Sequence, residues 1–178
     1  MTITKRLFTL SFCGTLLALS ACGADNPKMI ERNILDAQKQ VLGTVKLTDL
    51  GKQGTAVYVE LRGLDGAGMH AVHFHETGDC SAPDFASAGG HYNPENVSHG
   101  TVSGGPHAGD MKNIEVNENG FGSLAIVNER VSLYGEDGVP ALFDGDGSAL
   151  IVHQKADDFR SQPSGAAGPR IGCALINE

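Results

Sequence analysis

Tryptophan is absent from this 178-residue chain, and aromatic residues make up only 6% of it. That argues against a recognition surface built on stacked rings. Positive charge is also scarce: 13 Lys and Arg stand against 21 Asp and Glu, for a formal net charge of −8. No basic excess is available to neutralise phosphates, which argues against nucleic-acid binding. No stretch of useful length has a helical period, and no internal repeat is present. Glycine, in contrast, is plentiful: 24 glycines and 7 prolines form about 17% of the chain, above average usage but below the level of disordered segments. The length is that of one domain with a short appendage. Short Val/Ile/Leu runs separated by glycine turns predict an all-β fold.

The N-terminus has the features of an export signal. Lys5 and Arg6 precede Leu7–Leu19, a mostly apolar run of 13 residues. That is too short to cross a bilayer but suits a signal-peptide core. The run ends in Leu19-Ser20-Ala21-Cys22, which resembles the bacterial lipobox, cleaved before a Cys that is then acylated. Residues 1–21 are therefore expected to be a lipoprotein signal peptide, 22–28 a tether anchored by lipid at Cys22, and 29–178 the folded domain. Several acyl chains would anchor the chain stably to a membrane. Gly23 follows Cys22 in place of the Asp that would retain a lipoprotein at the inner membrane, so the expected location is the periplasmic side of the cell envelope, at the outer membrane. Losing Lys5 and Arg6 with residues 1–21 lowers the net charge from −8 to −10. Cys80 and Cys173 are then the two remaining thiols, and in an oxidising compartment they are expected to form a disulfide.

Strand-like runs follow: Lys28–Leu35 as an edge strand, then Gln40–Leu47 with Val41, Gly43, Val45 and Leu47 on one face. Next come Ala56–Leu61, Met69–His75, Asn113–Val116, Gly122–Val127, Ser148–His153 and Ile171–Ile176. About eight short strands predict an antiparallel β-sandwich or flattened barrel. The stretch from Glu76 to Lys112 has no strand period. A loop that long in a small domain needs a function and something to pin it.

The chemistry lies in seven histidines. His73 and His75 are two apart on a strand, so they share a face and can grip one metal, while His70 has the opposite parity. The long loop contributes His91, His99, His107 and Asp110, three nitrogens and one oxygen, a set suited to closed four-coordinate zinc. His153 ends a strand, and Asp157 lies four residues on, where a carboxylate can hold the outer nitrogen of a ligating histidine.

Several blocks of this sequence strongly resemble the copper/zinc superoxide dismutase family. They are Gly68-Met69-His70-Ala71-Val72-His73-Phe74-His75-Glu76-Thr77-Gly78-Asp79-Cys80, Gly90-His91-Tyr92-Asn93-Pro94, the spacing of His99, His107 and Asp110, Val152-His153-Gln154-Lys155-Ala156-Asp157-Asp158, and Gly168-Pro169-Arg170-Ile171-Gly172-Cys173. The resemblance spans roughly residues 28–178. It implies a Greek-key β-sandwich with two long functional loops, and dismutation of superoxide to dioxygen and hydrogen peroxide by a copper redox cycle with a structural zinc. Copper would be held by His73, His75, His91 and His153, and zinc by His91, His99, His107 and Asp110, with His91 bridging both. Asp157 would link His75 to His99, His70 would support the copper strand without ligating, and Arg170 would guide the anionic substrate.

The sequence departs from relatives in three places. The segment from Cys80 to His91 is longer than in cytosolic eukaryotic members, and the loop from His153 to Arg170 is shorter. Pro163 stands where relatives place a further lysine, with Arg160 and Lys155 as the nearby cations. The loop holding Cys80 belongs to a region used for dimer contacts, so the resemblance leaves monomer and homodimer open. The competing expectation is a copper- and zinc-binding lipoprotein that stores or delivers metal without turnover.

Overall fold

The computed structural model describes residues 28–178. The expected signal peptide, the acylation site Cys22 and all of the tether except Lys28 lie outside these residues. Lys28 is already docked: its carbonyl accepts a hydrogen bond from the Asp49 amide at 2.9 Å, and its ammonium lies 3.8 Å from the centre of the Tyr134 ring.

Nine strands follow in order: β1 (Met29–Leu35), β2 (Val41–Asp49), β3 (Thr55–Leu61), β4 (Gly68–His70), β5 (Val72–His75), β6 (Ile114–Val116), β7 (Gly122–Asn128), β8 (Ser148–His153) and β9 (Arg170–Ile176). They form one antiparallel sheet in the order β4-β6-β7-β3-β2-β1-β9-β8-β5. The first and last strands of that order are consecutive in the chain, with only Ala71 between them. The sheet therefore closes nearly into a barrel. Ala71 is the corner: its amide donates to the Lys155 carbonyl at 2.8 Å, and its own carbonyl accepts from the His153 amide at 2.9 Å.

This corner explains why nine strands appear where about eight are expected. The run Met69–His75 reads as one strand in sequence, but it breaks at Ala71, so its halves pair with different partners, β4 with β6 and β5 with β8. Nor is β1 an outer edge. It pairs with β2 along its length and touches β9 at Leu35↔Cys173. The alternation expected in β2 holds for Gly43, Val45 and Leu47, which face inward, but Val41 is 57% exposed. The β1–β2 register slips between Ile34 and Leu35, placing an extra residue, Leu42, on β2 and turning Val41 outward.

The main core fills the barrel with Val45, Leu47, Val57, Val59, Phe74, Ile114, Leu150 and Val152, among others. Because β8 is buried on both faces, its other face carries a second, smaller cluster in which Ala149 and Ile151 pack with Phe85, Ala88 and Cys173. Phe85 and Ala88 belong to the long 76–112 segment. That segment is thus held by apolar packing and by the expected disulfide, Cys80–Cys173, which joins residues 93 apart. It also covers the free edge of β5: Phe74 donates to Gly109 O (3.0 Å), Tyr92 to Phe74 O (2.8 Å) and Glu76 to Gly90 O (3.0 Å). Covering an edge in this way removes an open template for strand pairing.

The disulfide's contribution can be measured. Chain-entropy reasoning assigns about 4–5 kcal/mol to a link of this span. Cys80→Ser combined with Cys173→Ser is expected to lower the unfolding free energy of the metal-free protein by that order in denaturant titrations. A loss below about 1 kcal/mol would show that the apolar cluster alone holds the segment.

Candidate metal centre

Strand register places the first three histidines. His73 pairs with Ile151 and His75 with Ala149 across β5 and β8, so both project to the face shared by Ala149 and Ile151. His153, two residues beyond Ile151, has the same parity and projects the same way. Phe74 and Val152 take the opposite parity and enter the main core. The alternation that builds the barrel therefore also sends the imidazoles outward, beneath the long loop. Backbone bridges His75↔His91 and His73↔Asp110 then bring the loop across them.

Two clusters result, each with ligand atoms within 4.8 Å of one another: His73, His75, His91 and His153, and His91, His99, His107 and Asp110. All seven residues are buried. His91 belongs to both sets, with its ring centre 4.0 Å from that of His73 and 5.2 Å from that of His99. The structure thus brings together, in space, the residues that the sequence grouped as His73, His75, His91 and His153 and as His91, His99, His107 and Asp110.

The partners on the outer side of each ring fix its tautomer. His73 Nε2 donates to Asp157 Oδ2 at 2.9 Å, His75 Nδ1 to Gly89 O at 3.0 Å and His153 Nδ1 to Gly168 O at 3.2 Å. The remaining nitrogens, His73 Nδ1, His75 Nε2 and His153 Nε2, together with His91 Nε2, are buried without a hydrogen-bond partner. Four inward lone pairs, one from each residue of the first cluster, are a donor set for a metal that takes imidazole, such as copper or zinc.

The second cluster passes a similar test. His99 Nε2 donates to Asp157 Oδ1 at 3.0 Å, so its Nδ1 presents a lone pair to Asp110 Oδ1 only 3.1 Å away. Lone pair against carboxylate is repulsive unless a cation lies between them. Asp110 Oδ1 is also 2.9 Å from His91 Nδ1 and 3.2 Å from His107 Nδ1, the latter out of hydrogen-bond alignment. Three nitrogens and one oxygen gathered in this way suit tetrahedral zinc. Asp110 Oδ2 is held by the amides of Gly100 (2.9 Å) and His107 (3.0 Å).

Asp157 joins the two clusters, but not as expected. It ties His73, not His75, to His99, through Oδ2 and Oδ1 respectively. The register gives the reason. His73 lies two residues past the Ala71 corner, next to the chain that leaves His153 for Asp157. His75 lies farther along, where the loop carbonyl of Gly89 meets its Nδ1. His70 has a supporting contact, its Nδ1 against the His153 carbonyl at 2.9 Å, and belongs to neither cluster.

Burial dominates the protonation of the rings. It lowers His73 to about 4, with Asp157 opposing the shift, and His153 to about 3, with the positive charge of His73 next in size. His75 falls to about 2 through burial, then repulsion from His91 and from Arg170. Burial raises the carboxyl of Asp157, but the bonds from His73 and His99 outweigh it and bring the group to about 2. Asp110 is likewise held well below the usual carboxylate range by His91 and the Gly100 amide, against its burial. At neutral pH His73, His75 and His153 are thus neutral and Asp110 and Asp157 ionised, the protonation states that bind metal.

Arg170 opens β9, and its fork is anchored on the 76–112 segment, donating to the carbonyls of Phe85 and, at 2.6 Å, of Gly89. Gly89 O is also the acceptor for His75, so one carbonyl orients both the guanidinium and a ring of the first cluster. Lys155 and Arg160 are exposed, as is Pro163.

Three supporting residues carry no signal that sequence reasoning used. Asn113 makes a paired amide contact with the Asp157 main chain, Nδ2 to its carbonyl (3.0 Å) and Oδ1 from its amide (2.8 Å). Gln162 does the same for His99, accepting at 2.8 Å and donating at 2.9 Å. Gly165, at φ +66°, lies where a Cβ would collide with Asp157 Oδ1 and come within 2.7 Å of His99 Nε2. Its place in Pro163-Ser164-Gly165 marks a turn, but the collision is visible only in three dimensions.

A pair of histidine-rich clusters that share His91, on the outside of a Greek-key β-barrel, defines a class of protein able to hold two metal ions. The family model for copper/zinc superoxide dismutase matches residues 41–176. A superoxide dismutase [Cu-Zn] of Caulobacter vibrioides is 42% identical over 136 residues, 75% of this chain and 77% of that protein. Superoxide dismutase [Cu-Zn] 2 of Aquifex aeolicus is 36% identical over 165 residues, covering 92% and 94%. Among solved structures, a SOD-like protein from Bacillus subtilis superposes with a TM-score of 0.77 at 32% identity, covering 82% of this chain and 97% of that one. The Cu/Zn superoxide dismutase from Brucella abortus gives 0.65 at 25%, covering 84% and 99%. The chain belongs to the copper/zinc superoxide dismutase family. It is a superoxide dismutase that uses copper and zinc.

Two expectations follow. In Asp157→Asn, one of the two acceptors becomes a donor facing a ring N–H. Affinity for both metals is expected to fall about 10–100-fold, measured by chelator competition; unchanged affinity would detach Asp157 from the centre. The second concerns pH. The rings of His73, His75 and His153 have lower proton affinity folded than unfolded, so below about 6.5 the unfolded chain binds more protons and stability falls. The metal-free protein is expected to lose stability as pH drops from about 6.5 toward 4, measured by urea unfolding. A flat profile over that window would contradict the burial argument.

Proposed function

We propose that His73, His75, His91 and His153 hold copper and that His91, His99, His107 and Asp110 hold zinc, in an enzyme that dismutes superoxide in the cell envelope. The observation that carries the assignment is the set of four inward, unpartnered nitrogens in one cluster beside a carboxylate-bearing set in the other, with His91 in both. Copper held there would supply one-electron exchange, and zinc a fixed positive charge without redox chemistry.

The residues do the remaining work. Two superoxide ions and two protons give one dioxygen and one hydrogen peroxide, so charge must be attracted and protons delivered. Arg170 stays charged at every relevant pH. It spends one N–H of each terminal nitrogen on loop carbonyls and keeps further donors of its fork for a small anion. His91 can take a proton at Nε2 and pass it to the departing product, while Asp110 holds its other side. Asp157 keeps His73 and His99 in the tautomers that leave their Nδ1 lone pairs inward. The net charge of −10 left after loss of residues 1–21 repels superoxide at long range. Attraction must therefore act within a Debye length of about 8–10 Å, where Arg170 lies, assisted by Lys155 and Arg160.

The envelope location rests on the lipobox-like Leu19-Ser20-Ala21-Cys22 and on the disulfide, a bond of oxidising compartments. Palmitate labelling of the expressed chain, lost in Cys22→Ala, tests the anchor. An unlabelled wild-type chain would remove it.

The function is tested with copper- and zinc-loaded protein in a superoxide-removal assay. Arg170→Ala is expected to slow turnover roughly tenfold, equivalent to about 1.4 kcal/mol of lost attraction, and to flatten its dependence on ionic strength. Wild-type rates across a salt series would remove Arg170 as the guide. Full metal binding without turnover in the wild type would favour the storage reading.

A further inference from the structure

Two ligands of the second cluster, His107 and Asp110, sit on one four-residue turn outside the strands of the barrel. Their placement depends on what holds that turn. Gly109 is held by the edge of β5 and by Tyr92: its carbonyl accepts from Phe74, and its amide donates to the Tyr92 carbonyl at 2.8 Å. The other three carbonyls of the turn are met by side chains from the end of β7. Asn128 Nδ2 donates to Ala108 O at 2.9 Å. Arg130 Nε donates to His107 O at 3.2 Å, and Arg130 Nη2 to Asp110 O at 2.8 Å. Asn128 Oδ1 in turn accepts from the Arg130 amide at 3.0 Å, so the two side chains act from one fixed corner.

Arg130 is exposed, and no carboxylate pairs with it among the described residues. Its fork is committed to the two ligand-bearing peptides instead. A guanidinium presents several donors in one rigid plane, so it can grasp two carbonyls three residues apart at once. A lysine ammonium is a point charge on a flexible stem and cannot reproduce that geometry.

We propose that Arg130 is a positioning residue for the zinc site: its planar fork sets the spacing of His107 and Asp110 by holding their carbonyls. The proposal rests on the assignment of zinc to His91, His99, His107 and Asp110. It concerns the site's affinity and geometry and gives Arg130 no contact with substrate.

The test is zinc affinity by chelator competition on the full metal-binding protein, with the visible spectrum of cobalt(II) bound in place of zinc as a report on ligand geometry. Arg130→Met is expected to weaken zinc about 10–100-fold, the range for losing a partner that orients ligands, to shift the cobalt spectrum, and to leave copper affinity within about twofold of wild type. Arg130→Lys keeps the charge and loses the fork, and is expected to recover little of the zinc affinity; it also serves as the readout if Arg130→Met fails to fold. Zinc affinity within twofold of wild type in Arg130→Met would overturn the proposal, as would complete rescue by lysine, which would show that charge alone matters. His107→Ala separates the two levels of the argument. Zinc lost in His107→Ala but retained in Arg130→Met removes only the role of Arg130, whereas zinc retained in His107→Ala removes the zinc assignment itself.

Discussion

The structure depends on keeping six imidazoles and the Asp110 and Asp157 carboxylates out of water, with the ligand atoms of the rings and of Asp110 converging. Five of the ring nitrogens face inward without a hydrogen-bond partner. Each unsatisfied buried polar atom costs about 1–3 kcal/mol, so the arrangement has to be imposed by everything around it. The outer faces of His73, His75 and His153 show how. Asp157, Gly89 O and Gly168 O take the N–H that would otherwise turn inward. These acceptors decide which nitrogen is free, and that decision turns a group of histidines into a metal centre. A metal ion bound at these nitrogens would give each of the converging lone pairs a partner.

Two kinds of scaffold share this task. The first cluster is largely a consequence of the sheet: strand parity aims His73, His75 and His153 at one point, and the apolar residues between them anchor the strands in the core. Little besides the barrel is needed to build it. The second cluster, the shared His91 included, lies wholly in the long loop, where no ladder fixes direction. Order there comes from the Phe85–Ala88 cluster against β8, from the disulfide, and from side chains that hold main-chain groups: Asn113 on Asp157, Gln162 on His99, Asn128 and Arg130 on the His107–Asp110 turn.

That division also determines what the sequence reveals. A two-residue period and a conspicuous residue type are local signals, so the strands, the His73/His75 pair and the loop ligands are legible, and so is the pairing of the two remaining cysteines. The Ala71 corner is not, because Met69–His75 keeps a strand-like composition across the point where the chain leaves one side of the barrel for the other. The same break hides the Asp157 contact. Parity makes His73 and His75 equivalent, and only the distance from the corner determines which of them Asp157 reaches. Polar residues that hold carbonyls are the least legible of all, since Arg130, Asn128 and Gln162 look like ordinary loop and strand-end residues until their partners, 20 to 63 positions away, are seen.

Joining a rigid cluster to a loop-built one through a single ring has a consequence for catalysis. Asp157 and His91 both reach across the boundary, so displacement of the loop cluster is transmitted to His73 through Asp157 and to the shared ring directly. Arg170 is coupled as well, because the Gly89 carbonyl that holds its fork also holds His75. The disulfide closes the circuit. It fastens the segment carrying Phe85 and Gly89 to β9, the strand that begins with Arg170. Arg170, the His75 ring and the loop are therefore fixed relative to one another by covalent and hydrogen-bonded links spanning only a few residues. An enzyme whose substrate is a small, weakly distinguished anion gains most from such fixed geometry, because it has no large substrate whose binding energy could assemble the site on arrival.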